Sequence, residues 1–152
     1  MAYLLDTNIV VLMIRGLKIF AKPNERQKER HQSAHRILRR ARKHRLSGDI
    51  VAVSAITVAE LEFGSWNSPD YDSESDAARR AIAPFDFLDF DARDCAIQYG
   101  RVRHSVESAG TPIGSLDTLI AAHALAIGAI LVTSDTLEFS RVLGLKCENW
   151  AL

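Results

Sequence analysis

Short apolar runs, each ending at a polar turn and followed by a helical stretch, set the fold class of this chain. Residues 2–5 (Ala-Tyr-Leu-Leu), 50–53 (Ile-Val-Ala-Val) and 129–133 (Ala-Ile-Leu-Val-Thr) are apolar almost throughout, and 87–90 is a further candidate. Strands that are apolar without alternation are buried on both faces, which is the signature of a parallel sheet covered by helices. Between them lie segments with helical spacing at 9–17, 25–45, 55–63, 77–83, 92–108, 116–127 and 138–143. Ser54, Asp91 and Ser115 stand where N-caps are expected, and Gly64, Gly110 and Gly128 stand where helices would stop. Residues 65–76 are polar and contain Pro69, which reads as a loop, and 145–150 reads as a short last strand. The expectation is an α/β domain with a largely parallel central sheet flanked by helices. The chain of 152 residues is long enough for one core, so 1–152 is expected to form a single domain.

The formal net charge of zero conceals an asymmetry that bears on partners. Residues 18–45 hold eleven Lys/Arg against two acids, leaving +9 there and −9 over the remainder. From Glu25 onward this stretch has no Gly or Pro, and Ala34, Ile37, Leu38 and Ala41 recur at three- and four-residue spacing. It reads as an amphipathic helix with a thin apolar stripe and a wide basic face, a basic helical insertion spanning 18–47 after the first helix. Such a face suits phosphates, and Arg36, Arg39, Arg40 and Lys43 are its candidate RNA contacts. Cys95 and Cys147 are far apart and match no metal or redox spacing. No apolar run approaches the roughly 18 residues that cross a membrane. No segment reads as an export signal, so the cytoplasm is the expected compartment and no membrane partner is expected.

Three acids fall where parallel sheets collect their functional groups, beyond the carboxyl ends of strands. Asp6 directly follows the first apolar run, Asp135 comes two residues after the last residue of 129–133, and Asp117 opens a helix after a Thr-Pro-Ile-Gly loop. Glu60 lies about two turns into the helix after the second strand. Taken singly, Asp117 could serve the helix dipole, Asp135 a turn and Glu60 a solvated face. Asp6 is harder to explain in that way, because a carboxylate against a buried apolar run is costly unless paired or bound to a metal. Four carboxylates converging on one sheet edge would repel unless cations neutralised them. Oxygen ligands without His or Cys select Mg²⁺, with Mn²⁺ as substitute, over zinc. That donor set suits phosphodiester hydrolysis. No Gly-rich phosphate loop and no G-x-S-x-G elbow is present. His31 and His35, one turn apart, read as solvated positions, and His123 as a buried or supporting one.

These residues resemble a known family. Tyr3-Leu4-Leu5-Asp6-Thr7-Asn8 resembles the opening strand of PIN-domain nucleases, and the stretch from Ser54 to Gly64 containing Glu60 is similar to their second motif. The stretch from Thr111 to Leu125 containing Asp117 resembles the third, in the form seen in VapC-type toxins of bacterial toxin–antitoxin pairs. Leu131-Val132-Thr133-Ser134-Asp135, followed by Glu138-Phe139, is similar to the fourth, and Glu148-Asn149-Trp150 to the usual tail. The resemblance implies a PIN-like fold and an endoribonuclease, the toxin of a type II toxin–antitoxin system. It implies Mg²⁺ or Mn²⁺ held by Asp6, Glu60, Asp117 and Asp135, with Thr133 supplying a hydroxyl nearby. It also implies a homodimer inhibited by a VapB-type antitoxin, with DNA reached only through that antitoxin. Segment 18–47 departs from the pattern by its length. Two other readings stay open here: a PIN-like RNA-binding module without activity, and a metal-dependent phosphatase using Asp6, although Asn8 stands where a second acid is usual for that chemistry.

Overall fold

The computed structural model describes all 152 residues. Five parallel strands form one sheet in the order β3-β2-β1-β4-β5. They are β1 (Ala2–Leu5), β2 (Ile50–Ser54), β3 (Asp86–Leu88), β4 (Ile130–Val132) and β5 (Cys147–Glu148). The chain lays β1, β2 and β3 outward in one direction, then returns to put β4 on the other side of β1. The direction of winding therefore reverses between β1 and β4, and a crevice opens at the carboxyl ends of these two strands.

The strands alternate between two cores. Tyr3, Leu5, Val51, Val53 and Val132 point to one face, and Leu4, Ala52 and Leu131 to the other. The first face is covered by α1 (Thr7–Gly16), α2 (Glu25–Leu46), α3 (Ala55–Trp66) and α4 (Tyr71–Ile82), with Trp150 fully buried among them. The second is covered by α5 (Asp94–Ser108), α6 (Ser115–Ala126) and the single turn α7 (Thr136–Phe139). Each large apolar side chain enclosed in this way contributes about 1.5–3 kcal/mol. No helix is long and apolar enough to cross a membrane.

The basic insertion is helical as expected, and α2 extends over 22 residues. Its start is fixed by a capping box, in which Asn24 Oδ1 accepts from the Gln27 amide at 2.8 Å and Gln27 Oε1 accepts from the Asn24 amide at 2.9 Å. Ala34, Ile37 and Ala41 bury the thin apolar stripe.

Several boundaries differ from the sequence expectation. Residues 71–76, expected in a loop, begin α4: Asp70 caps it by accepting from the Ser73 amide at 3.1 Å, and Asp72 and Glu74 occupy its first turn, where the helix dipole favours acids. Asp72, Ser73 and Asp76 sit on the outer face, while Ser75, Ala78, Ala81 and Ile82 are buried. Gly64 does not end α3, which continues to Trp66. Helix α5 starts at Asp94 rather than 92, with Asp91 Oδ1 accepting from the Cys95 amide at 3.1 Å. Ser115 is the first residue of α6 rather than its cap, which is Gly114. The last turn forms at Thr136–Phe139 rather than 138–143, because Asp135 caps it through the Glu138 amide at 3.2 Å.

Candidate active site

The crevice at the β1/β4 switch point is lined by Asp6, Thr7, Asn8, Val11, Leu12, Arg15, Arg30, Glu60, Asp117 and Ser134, around a cavity of about 520 Å³. Asp6 is its floor. The residue is only 3 % exposed and is the N-cap of α1, its Oδ1 accepting from the Thr7 amide at 2.8 Å. Its Oδ2 accepts from the Thr133 hydroxyl at 2.8 Å, a bond across the switch point from the end of β4. Thr133 Oγ1 in turn accepts from the Asp135 amide at 3.0 Å and from Asn8 Nδ2 at 3.3 Å. Thr133 thus ties Asp6 to the end of β4.

Glu60 reaches the cleft from α3. The Thr7 hydroxyl donates to Glu60 Oε1 at 2.8 Å and lies 2.9 Å from Thr57 Oγ1, so the first turn of α1 grips the acid of α3. Asp117 enters from the first turn of α6. A Cβ at Gly114 would stand 3.3 Å from Asp117 Oδ2, so the absence of a side chain there leaves room for the carboxylate. Asp135 is exposed and outside the cavity lining, but close enough for its charge to act on Asp117.

The family model described as the PIN domain matches residues 3–144. The chain belongs to the PIN-domain family. Among its relatives, a protein named ribonuclease VapC2 from Rickettsia felis is 33% identical over 99% of this chain and 98% of its own length. A protein named tRNA(fMet)-specific endonuclease VapC from Shigella flexneri is 31% identical, with 98% of each chain covered. A crystal structure of VapBC2 from Rickettsia felis, bound to a DNA fragment from their promoter, superposes with a TM-score of 0.76 at 31% identity over 99% of both chains. The α/β architecture, with five parallel strands and flanking helices, is the PIN fold.

The electrostatics of this PIN domain's cleft follow from its crowding. Burial pushes the Asp6 carboxyl up to about 7; the Thr133 hydrogen bond opposes that, and the charges of Asp117 and Glu60 add to it. Asp117 is raised by burial, then by the charges of Glu60 and Asp135. Glu138 is raised chiefly by its hydrogen bond with Asp135 and by burial, and it also lies in hydrogen-bonding reach of Asp117. Glu138 is the carboxylate that sequence reasoning left out of the site. It follows Asp135 by three residues, the spacing that brings the first turn of a capped helix back to its cap, and that signal was legible.

The donor chemistry fits a hard divalent cation: the carboxylates are mutually repulsive, oxygen-only and partly desolvated. No group of three or more His, Cys, Asp or Glu side chains is gathered into a ready-made ion cage. Mg²⁺ does not require one, since it retains several waters and takes one or two carboxylates plus substrate phosphate.

Of the four candidate RNA contacts, two are committed elsewhere. Arg36 Nη1 donates to the Ala151 carbonyl at 3.1 Å, and Arg40 donates to the carbonyls of Asn149 at 3.0 Å and Leu152 at 3.2 Å. They tie the C-terminal tail to α2. Arg39 and Lys43 are exposed and away from the cleft lining. The cations that do line the cleft are Arg15, from the last turn of α1, and Arg30, from the first half of α2. Neither takes part in any of the chain's ion pairs.

Proposed function

We propose that this chain is a single-domain, divalent-metal-dependent endoribonuclease, the toxin of a type II toxin–antitoxin pair. The observation that carries the reading is the convergence of Asp6, Glu60 and Asp117 on one cleft at the sheet's switch point, with Asp6 buried and held near neutrality. Relatives named as ribonucleases over nearly their whole length support the activity, and a similar chain in a VapBC complex on promoter DNA supports the partner. The partner is a VapB-type antitoxin, with DNA contacted through it, and the working form is a cytoplasmic homodimer.

Asp6, Glu60, Asp117 and Asp135 would hold Mg²⁺ or Mn²⁺. Such an ion, when bound, activates water and offsets charge on the phosphate. The chain's own residues do the positioning. Thr133 and the Thr7 amide fix both oxygens of Asp6, the Thr7 hydroxyl fixes Glu60, and Arg15 and Arg30 present charge to the flanking phosphates.

The test is cleavage of RNA by the purified chain in Mg²⁺ or Mn²⁺ and in excess chelator. Cleavage with metal and none with chelator is the expected result; undiminished cleavage in chelator overturns the reading.

A second outcome concerns the cleft cations. Contact with a phosphate gives a log–log salt slope of about −0.7 per site on single strands. Arg15→Gln with Arg30→Gln should therefore flatten the salt dependence of RNA binding by about 1.4. Arg36→Gln with Arg40→Gln should leave that slope unchanged and lower stability by about 1–2 kcal/mol through loss of the tail. Filter binding across a salt series and thermal melts of the two double variants separate these roles.

A further inference from the structure

His123 is fully buried in the last turn of α6, yet nothing in the mechanism above uses it. Its Nδ1 lies 2.8 Å from Ser54 Oγ, and its Nε2 is the one buried side-chain nitrogen or oxygen in the molecule without a hydrogen-bond partner. Phe90 stands edge-on to the ring at 5.8 Å. Burial holds the imidazole below the ordinary histidine range, which favours the uncharged ring. A buried polar atom left without a partner is destabilising, and an apolar residue of similar size would serve the core better. The imidazole therefore has a use other than stability, and the atom that is satisfied shows which.

Ser54 is the last residue of β2 and the N-cap of α3, its Oγ accepting from the Ile56 amide at 3.1 Å. Helix α3 delivers Glu60 six residues later, and α6 delivers Asp117 six residues before His123. At 1.5 Å of rise per residue, each acid lies about 9 Å along its helix from the His123–Ser54 contact. No other side-chain hydrogen bond joins α6 to α3 or to β2. We infer that His123 is a positioning residue, a strut from α6 to the start of α3 that sets the gap between Asp117 and Glu60 across the cleft. Through this strut, the two acids on separate helices keep one spacing although no side chain bridges them directly. The inference rests on the carboxylate cleft being the nuclease site.

The test compares His123→Leu, His123→Asn and His123→Gln. Asn carries its polar atoms at the position of Nδ1 and can reach Ser54; Gln carries them at the position of Nε2 and cannot. Residues that orient a metal's ligands typically change affinity or activity 10- to 100-fold when removed. For His123→Leu, Mn²⁺ affinity measured by calorimetry should fall about tenfold, with RNA cleavage falling alongside. The melting temperature of the metal-free variant should be equal to or above that of the unaltered protein, since the unpartnered Nε2 is gone. His123→Asn should restore Mn²⁺ affinity to within about threefold, and His123→Gln should not. Unchanged affinity and cleavage in His123→Leu would overturn the strut, as would losses that track a lowered melting temperature and are not restored by Asn. If the unaltered chain binds no Mn²⁺ and cuts no RNA, the nuclease reading itself fails, and the strut with it. If the unaltered chain does both and the Leu variant matches it, the strut alone fails.

Discussion

Asp6→Asn lowers kcat/KM for RNA at least about 10³-fold, the equivalent of some 4 kcal/mol of transition-state stabilisation, and at pH 8 it raises the melting temperature of the metal-free protein. The two effects have one cause. Asp6 is enclosed, and its carboxyl is pushed up to about 7 by burial and by its acidic neighbours, against an ordinary value near 4. Between those two values the folded chain holds a proton that the unfolded chain has released. Stability therefore falls as pH rises from about 4 to about 7 and is flat above, where the ionised carboxylate costs on the order of 4 kcal/mol at most. Asn carries no charge, so the variant lacks this slope. It exchanges a charge-assisted bond from Thr133 for a neutral one, which offsets part of the gain and leaves a net of about 2 kcal/mol at pH 8. Melts at pH 5 and pH 8 check this: the variant should be the more stable at pH 8, with the difference shrinking or reversing at pH 5. The same proton must leave before a cation can use Asp6, so Mn²⁺ affinity of the unaltered chain should rise with pH up to about 7 and then level off. A melting temperature of the unaltered protein that climbs steadily from pH 5 to pH 8 would contradict the buried, near-neutral carboxyl.

What the sequence made legible divides along a physical line. The strands were legible because a parallel sheet buried on both faces needs uninterrupted apolar runs, and residues 2–5, 50–53 and 129–133 supply them. Asp6 stood out because charge at the end of such a run demands a reason. Asp117 and Glu60 were placed by their spacing from predicted strand and helix ends, and the fold brings both to the cleft. Segment 71–76 was misread because a helix with a polar outer face and a narrow stripe of small buried residues, Ser75, Ala78 and Ala81, has the composition of a loop. The basic helix was correctly seen as a helix, but its face could not be aimed from the sequence. Arg36 and Arg40 meet a tail more than a hundred residues away, while Arg30, on the same helix, lines the carboxylate cleft. Such pairings depend on how α2 lies across α1, which no local pattern encodes.

That crossing depends on a single missing side chain, and Gly16→Ala should cost about 3 kcal/mol. A Cβ at residue 16 would stand 2.4 Å from the Arg30 carbonyl oxygen, 2.5 Å from Ala34 Cβ and 3.0 Å from the Arg30 carbonyl carbon. These are mostly backbone atoms of α2, so no rotamer change relieves the clash and the helices must separate. Overpacking of this kind costs 1–3 kcal/mol or more, and at this chain length 3 kcal/mol lowers the melting temperature by about 10 °C. The clash includes the backbone of Arg30, so the displaced helix also carries that guanidinium from the cleft, and the salt dependence of RNA binding should flatten by about 0.7. Gly64 provides the contrast. It too lies in a helix, but a Cβ there meets nothing within 4 Å and its φ is not in the left-handed region. Gly64→Ala should therefore stabilise the protein by about 0.5–1 kcal/mol, since alanine loses less conformational freedom in a helix. One substitution at two helical glycines thus has opposite signs. If Gly16→Ala melts within a degree or two of the unaltered protein, α1 and α2 do not approach as closely as this crossing requires, and Arg30 loses its place among the cleft residues.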